Sequence, residues 1–217
     1  MRILLALLLL APAPAAPGIG IKDGMVEFRA ADGTVRQLTG RGKWGSPTLS
    51  PDGRTAAFTL HEVEAEGGDM DSARSSLWIA DVATGKARKL VTPRFDAEPK
   101  KNLAALYNPV FSNDGRFVYV EAAAWVTSPA IHQVNVATGR TRFVVDGALW
   151  GILRNGPWRG NLVVEQHRYH PAPEFGSYQA VSVIRPSGKR IAYLPGSEKG
   201  EAEADIEGWL KQKGWRL

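Results

Sequence analysis

Hydrophobic and polar residues alternate with a period of two along much of this chain, the spacing of half-buried strands rather than helices. Ala56, Phe58 and Leu60 share one face; Leu77 and Ile79 share another; Val134 and Val136 lie opposite Gln133 and Asn135. Asp-Gly and Thr-Gly interrupt the runs, with glycine at the positive φ that a tight hairpin turn needs. The pattern predicts strands over residues 46–50, 54–61, 75–82 and 86–91, then 108–112, 116–125, 130–136 and 140–146. A fainter set covers 149–154, 160–168, 178–184 and 189–194, and half a set, 24–29 and 34–39, precedes them all.

Two phrases recur within this pattern. Pro47-Thr-Leu-Ser-Pro-Asp-Gly53-Arg-Thr-Ala-Ala-Phe58 matches Pro109-Val-Phe-Ser-Asn-Asp-Gly115-Arg-Phe-Val-Tyr-Val120 in pattern and phase. Leu77-Trp-Ile-Ala-Asp-Val-Ala-Thr-Gly85 is echoed by His132-Gln-Val-Asn-Val-Ala-Thr-Gly139, and more weakly around Gly33 and Gly188. One four-stranded unit therefore returns about every 50 residues, the signature of sheets stacked in series. Radial repetition of such sheets describes an all-β, propeller-like array of antiparallel blades, about three and a half to four of them.

Ser50-Pro-Asp-Gly-Arg54 followed by Leu77-Trp-Ile-Ala-Asp-Val-Ala-Thr-Gly85 resembles the blade motif of TolB-type, WD-like propellers, which also occurs in the propellers of prolyl oligopeptidase-type peptidases. The likeness spans residues 20–195, strongest in the two middle blades. The motif is a signature of fold and not of function, since the matching residues build turns and sheet faces and not a reactive site; an envelope interaction role is what the resemblance to TolB-like propellers implies. The blade count departs from the rings of about six blades or more that the resemblance implies. Residues 196–217 offer no further strands: Ala202, Ile206, Trp209 and Leu210 recur at helical spacing, Glu201, Glu203 and Asp205 precede Lys211 and Lys213, and Gly214 stands at a C-cap position. The expectation is a short C-terminal helix. Three arrangements stay open: an arc whose edge strand the helix covers, a compact four-bladed ring, or an arc completed by a second chain through open blade edges.

Composition narrows the partners. With 27 Lys and Arg against 22 Asp and Glu, the net charge of +5 is a small excess and no nucleic-acid footprint. The absence of cysteine removes disulfides, thiolate metal sites and cysteine catalysis. Met1-Arg2, the apolar run Ile3 to Leu10 and the Ala13-x-Ala15 pair read as a cleavable signal peptide over residues 1–15, leaving repeats over 16–195 and a helical tail over 196–217. That places the chain in the periplasm or outside the cell, with no stable membrane span once the signal is cut.

Candidate chemistry is sparse. His167 and His170 with Glu165 and Glu174 carry ligand types for a metal, but on a strand the two histidines point to opposite faces. Glu62, Glu64, Glu66, Asp69 and Asp71 lack the order of a calcium loop. No G-x-S-x-G elbow occurs, and Gly40-Arg-Gly-Lys43 runs into Trp44 instead of Ser or Thr. No cofactor is expected. Connections from each outermost strand to the next innermost one, and between the two middle strands, emerge at one end of a blade, and there the sequence places Arg41, Lys43, Trp44, Arg94, Phe95, Tyr107, Trp125, Trp150, His170 and Phe175. Arg, Trp and Tyr dominate binding hot spots, so Arg41, Trp44, Arg94, Phe95, Tyr107, Trp125, Trp150 and His170 form the candidate surface for a protein or peptide of the cell envelope. Trp78 and Trp158 are assigned instead to gaps between blades. The rival readings are a propeller hydrolase or lyase, a carbohydrate-binding sensor, and a degenerate module that stabilises a partner.

Overall fold

In the computed structural model, residues 16–64, 73–126, 128–200 and 204–217 are described. They form four antiparallel sheets in chain order. The first is three-stranded: β1 (Gly18–Lys22), β2 (Met25–Arg29) and β3 (Val35–Gln37). The second holds β4 (Trp44–Leu49), β5 (Thr55–Val63), β6 (Arg74–Asp81) and β7 (Ala87–Val91); the third β8 (Leu106–Phe111), β9 (Phe117–Ala122), β10 (Ala130–Asn135) and β11 (Thr141–Asp146). The fourth holds β12 (Ala148–Ile152), β13 (Leu162–Tyr169), β14 (Ser177–Ile184) and β15 (Arg190–Tyr193), and α1 (Ile206–Lys213) follows it. The signal-peptide expectation, and Glu66, Asp69 and Asp71 of the acidic loop, lie outside the described residues.

The two recurring phrases are turn chemistry. Ser50 Oγ donates to Asp52 Oδ1 (2.6 Å) and accepts from Thr55 N (2.9 Å); Ser112, Asp114 and Phe117 repeat the arrangement at 2.6 and 3.0 Å. In the other hairpin Thr84 donates to Asp81 Oδ1 through both N–H and hydroxyl, as Thr138 does to Asn135. These bonds hold the Asp52, Asp81 and Asp114 carboxyls below their ordinary range.

Alternation then sends one face of each inner sheet to each neighbour. Ala56 and Phe58 of β5 meet Val26 and Leu38 of the first sheet, while Ala57 of β5 with Leu77 and Ile79 of β6 meets Leu106, Phe111 and Val118 of the third. Tyr119 and Ile131 on the far side of the third sheet meet Leu149, Leu162 and Ile184 of the fourth. The cores therefore lie between sheets, because a single layer of four strands cannot bury both its faces alone.

Edge contacts register one blade on the next. A Cβ on Gly139, at φ 71°, would stand 2.6 Å from Leu90 O of the preceding outermost strand, and one on Gly188 would stand 2.5 Å from Val144 O. Beside them Arg88 Nη2 donates to Val136 O and Arg142 Nη2 to Pro186 O, each at 2.7 Å. The glycines recur because the hairpin of each blade is pressed against the blade before it.

The ends of the array differ. Leu153, Val163, Val181 and Val183 form the outer apolar face of the fourth sheet, where a further blade would pack, and Ile206, Trp209 and Leu210 of α1 lie on it with Trp215. Asp205 caps the helix by accepting from Gly208 N, and Gly214 ends it in the left-handed region. The helix thus covers a sheet face, not the edge strand that the sequence suggested, since that face presents Leu153, Val163, Val181 and Val183 to it. Trp158 is corrected likewise: it sits in the turn after β12 and packs on Trp209 and Trp215, with ring centroids 6.4 and 5.2 Å away, and not between blades. The outer face of the first sheet is mostly polar, carrying Lys22, Glu27, Arg29 and Gln37 with Met25 and Val35, opposite Val26 and Phe28. Among the described residues no strand pairing or apolar cluster joins the first sheet to the last, so the arc is open.

Among the described residues one carboxyl and one imidazole side chain, both in the third sheet, are buried. Glu121 of β9 accepts from Leu149 N across the third seam, where Asn108 bridges Glu121 Oε2 and Leu149 O at 3.2 and 3.1 Å. Burial raises the Glu121 carboxyl, and these bonds work against that shift. His132 of β10 is enclosed, with Nε2 lacking a hydrogen-bond partner among the described residues, and burial pulls its pKa from 6.5 down to about 4.

Two outcomes are expected. Gly139→Ala strains a positive-φ position and strikes Leu90 O, whereas Gly53→Ala strains a similar φ with open space around the new methyl. Urea denaturation should show a loss of about 1–2 kcal/mol for Gly53→Ala and a distinctly larger loss for Gly139→Ala; equal losses contradict the pressed hairpin. His132 is neutral when folded, so its contribution is complete above pH 6.5 and declines as pH falls toward about 4. The decline should reach roughly 3 kcal/mol, offset in part near its acid end by Glu121, whose shift has the opposite sign. In His132→Leu this component of the stability-against-pH curve should vanish.

Candidate functional site

Successive strands run in opposite directions, so connections alternate between two ends of the arc. Short turns such as Ser50–Gly53 and Asp81–Gly85 occupy one end. The longer links, around residues 38–43, 92–105, 123–129 and 170–176, emerge at the other with the two ends of the β5–β6 connection. Backbone bonds tie this loop end together: Gly42 N to Gly24 O at 2.8 Å, Ser75 N to Ala104 O at 2.8 Å and Gly147 N to Pro129 O at 2.9 Å. Asn102 Nδ2 adds a bond to Ala123 O at 2.9 Å, joining the links that flank the third sheet.

The structure divides the residues read from the sequence into two groups. Arg41, Arg94, Phe95, Trp125 and His170 lie in loop-end links. Phe95 is 49% exposed beneath the Arg74 guanidinium, 5.8 Å from its ring centre. Trp125 is 36% exposed and packs edge-on to Phe143 at 6.3 Å; Lys100 Nζ stands over the same Phe143 ring at 5.7 Å. His170 stacks on Tyr178 at 4.8 Å, with Nδ1 3.3 Å from Glu174 Oε2, and Phe175 beside it is almost wholly exposed.

Trp44, Tyr107 and Trp150 belong to strands β4, β8 and β12, a correction to their placement in loops, although the strand read over 149–154 already took in Trp150. The cause is a bulge in each innermost strand, between Gly45 and Thr48, Tyr107 and Val110, and Leu149 and Gly151, which lets the strand begin before the point where Pro47 and Pro109 suggested. Trp44 meets Phe58 and Trp78 edge-on at 5.2 and 5.5 Å, inside the first seam, and Trp78 lies in the seam as expected. Tyr107 is half-buried beside Glu121, and burial followed by that charge pushes its phenol up to about 12. Trp150 points to the outer face of the fourth sheet, where Nε1 donates to Glu165 Oε2 at 3.1 Å above a cleft of about 320 Å³ lined also by Tyr178 and Gln179.

The ionisable groups near the loop end are engaged with one another. Glu62 Oε1 accepts from Lys89 Nζ and Ser76 Oγ, both at 2.6 Å; Glu64 pairs with Lys43 at 2.7 Å, and Asp146 with Arg168 at 2.8 Å. Glu62 and Glu64 are held below the ordinary carboxylate range, chiefly by their lysine partners. His167 and His170 turn to different neighbours, His167 to Tyr169 and Gln179. A cleft of about 330 Å³ at the opposite end is a blade seam, with Asn113 bonded to Arg154 and Leu153 and Gln133 bonded to Tyr119 and Arg142.

Sequence reading passed over Lys100 and Phe143, which join the β7–β8 and β9–β10 links, and over the arginines three residues after Gly33, Gly85 and Gly139. That last signal was available in the repeat itself: Arg36, Arg88 and Arg142 share one phase.

No family model matches the chain, and no curated protein does. Among solved structures, dipeptidyl peptidase 4 of Porphyromonas gingivalis aligns with 82% of this chain at TM-score 0.58 and 12% identity, and the tricorn protease with 85% at TM-score 0.57 and 16% identity. The chain spans 31% and 16% of the lengths of those two proteins. A putative TolB from Agrobacterium tumefaciens aligns with 78% of this chain and 57% of its own length, at TM-score 0.47 and 15% identity. Four sheets in series, seams between their faces and a short helix on the last one give this chain a β-propeller fold, left open as an arc among the described residues.

Proposed function

We propose that this chain is a non-catalytic interaction module of the cell envelope that binds a protein or peptide through its loop end. The observation that carries this reading is the line of exposed apolar groups there: Phe95, Trp125, Val126, Tyr169 and Phe175, with Arg94 and Lys100 among them. Aromatic rings flanked by cations bury large areas at low entropic cost. Their supports are tied to the seams, so the surface is preorganised and little ordering is needed on contact. A module without catalysis is favoured by Glu62, Glu64 and Asp146 near this end, each engaged in an ion pair, with Lys89, Lys43 and Arg168 in turn. Delivery to the periplasm or beyond rests on the leader-like residues 1–15; among the described residues no helix is long and apolar enough to cross a membrane.

The carbohydrate-sensor reading retains one specific observation, the fixed Trp150 indole above a cleft edged by Glu165 and Gln179. A single experiment separates the two. Phe95→Ser with Trp125→Ser should reduce recovery of envelope proteins by the tagged chain about tenfold or more, at a stability loss of about 1–3 kcal/mol that leaves the chain folded by circular dichroism, because both side chains are only partly buried. Trp150→Ala should leave recovery unchanged. Equal recovery by the double variant contradicts the loop-end surface, and loss of oligosaccharide binding on Trp150→Ala alone would favour the sensor.

A further inference from the structure

Seven turns share the end of the arc opposite the loops, over residues 30–36, 50–54, 81–88, 112–116, 135–142, 154–160 and 185–189. Together these segments hold 11 Lys and Arg against 4 Asp. Their net charge of +7 exceeds the +5 of the whole chain, so the remainder has a small negative balance and the molecule is polarised from end to end. The repeat itself is the cause, because its Asp-Gly and Thr-Gly turns are followed by Arg or Lys within three residues.

The four carboxylates do not neutralise this end. Oδ1 of Asp32, Asp52, Asp81 and Asp114 each accepts from a backbone amide of its own turn. Among the described residues, Arg116 alone of the cations in these turns comes within ion-pair reach of one, at 3.9 Å from Asp114. Arg88 and Arg142 each spend Nη2 on a carbonyl of the next blade, which keeps their charges and fixes where they stand. Nearer the centre, Asn113 Nδ2 donates to Leu153 O at 2.8 Å and joins the turns of the third and fourth sheets. Packed sheets lie about 10 Å apart, close to the Debye length at physiological salt, so turns of neighbouring blades act together on a charged surface.

Phosphate is the anion this set fits, since 9 of the 11 cations are arginines, whose planar fork meets phosphate oxygens two at a time. Two observations favour lipid headgroups over a nucleic acid. None of the largely exposed aromatic side chains among the described residues, Phe95, Trp125, Trp150, Tyr169 and Phe175, lies in these turns, so the end offers no platform for stacked bases. The chain also enters β1 at this end, where Gly18 pairs with Arg29. The apolar run Ile3 to Leu10 stands 8 residues before Gly18, a reach of at most about 30 Å, so that run, held in a bilayer, would keep this end toward the membrane.

We infer that the short-turn end docks electrostatically on the anionic surface of a phospholipid bilayer, with the loop end directed away from the membrane. Arginines spread over the turns of four sheets supply the attraction, and no apolar side chain needs to enter the bilayer. This surface is separate from the loop end and does not depend on the function proposed for it.

The test is sedimentation of the chain with vesicles of phosphatidylcholine, alone or with about 30% phosphatidylglycerol. The anionic vesicles should bind about tenfold more tightly or better, and about 1 M salt should abolish the difference. Arg54, Arg140 and Lys189 are exposed, and among the described residues no hydrogen bond or ion pair engages their side chains. Their joint replacement, Arg54→Glu, Arg140→Glu and Lys189→Glu, should weaken binding to anionic vesicles about tenfold or more while the circular dichroism stays native. Lys22→Glu, Arg41→Glu and Arg94→Glu make the same change in net charge at the loop end and should weaken it less than about threefold. Equal losses in the two triple variants overturn the inference in favour of net charge alone, and equal binding to the two vesicles overturns it in favour of apolar insertion. Binding of a DNA duplex while the vesicles stay unbound overturns it in favour of a nucleic acid. The lipid and salt comparisons use the unsubstituted chain, so they decide the matter even where a triple variant fails to fold.

Discussion

Every inner sheet of this protein is apolar on both faces, and that constraint governs the rest of the structure. Ala56 and Ala57 are adjacent residues of one strand, both fully buried, yet they belong to cores shared with different neighbours. A sheet of this kind has no fold of its own and exists only between two others. The hairpin glycines, the Arg88 and Arg142 bonds to the next blade and the Glu121–Asn108–Leu149 bridge all serve the same end, fixing the angle at which one face meets the next.

Such an array must solve its two ends differently from its middle. At the last sheet the solution is a short amphipathic helix with three mutually packed tryptophans, Trp158, Trp209 and Trp215, which replaces a blade with far fewer residues. At the first sheet the outer face is mostly polar, and among the described residues no strand pairs with the inner edge of β1 beside the half-exposed β4. Closure into a ring would have removed both ends. An open arc of the described residues instead leaves a mostly polar end face, and presents its loops as a line rather than a circle.

Much of the architecture was legible in the residues. Asp-Gly and Thr-Gly turns located the hairpins to within a few positions, because glycine at positive φ and the carboxylate that accepts from the following backbone are local requirements. Asp205 and Gly214 marked the helix for the same reason. β1 was missed because half of Gly18–Lys22 apart from the lysine is glycine, which reads as a linker until β2 pairs with it. The candidate surface was legible only in part. Bulges at the innermost strands are tertiary features, and they carried Trp44 into a seam and Trp150 onto an outer face. Phe143 joins Lys100 to Trp125 from within a strand, where its alternation pattern looks like any other core position.

The central claim is that the sheets stand or fall together through their shared faces. Native-state hydrogen exchange over a denaturant series measures this directly, strand by strand. The account expects the buried amides of β5, β6, β9, β10, β13 and β14 to converge on one common opening free energy, that of global unfolding. Separate opening energies for each sheet, with one sheet exchanging while its neighbours stay fully protected, would contradict it.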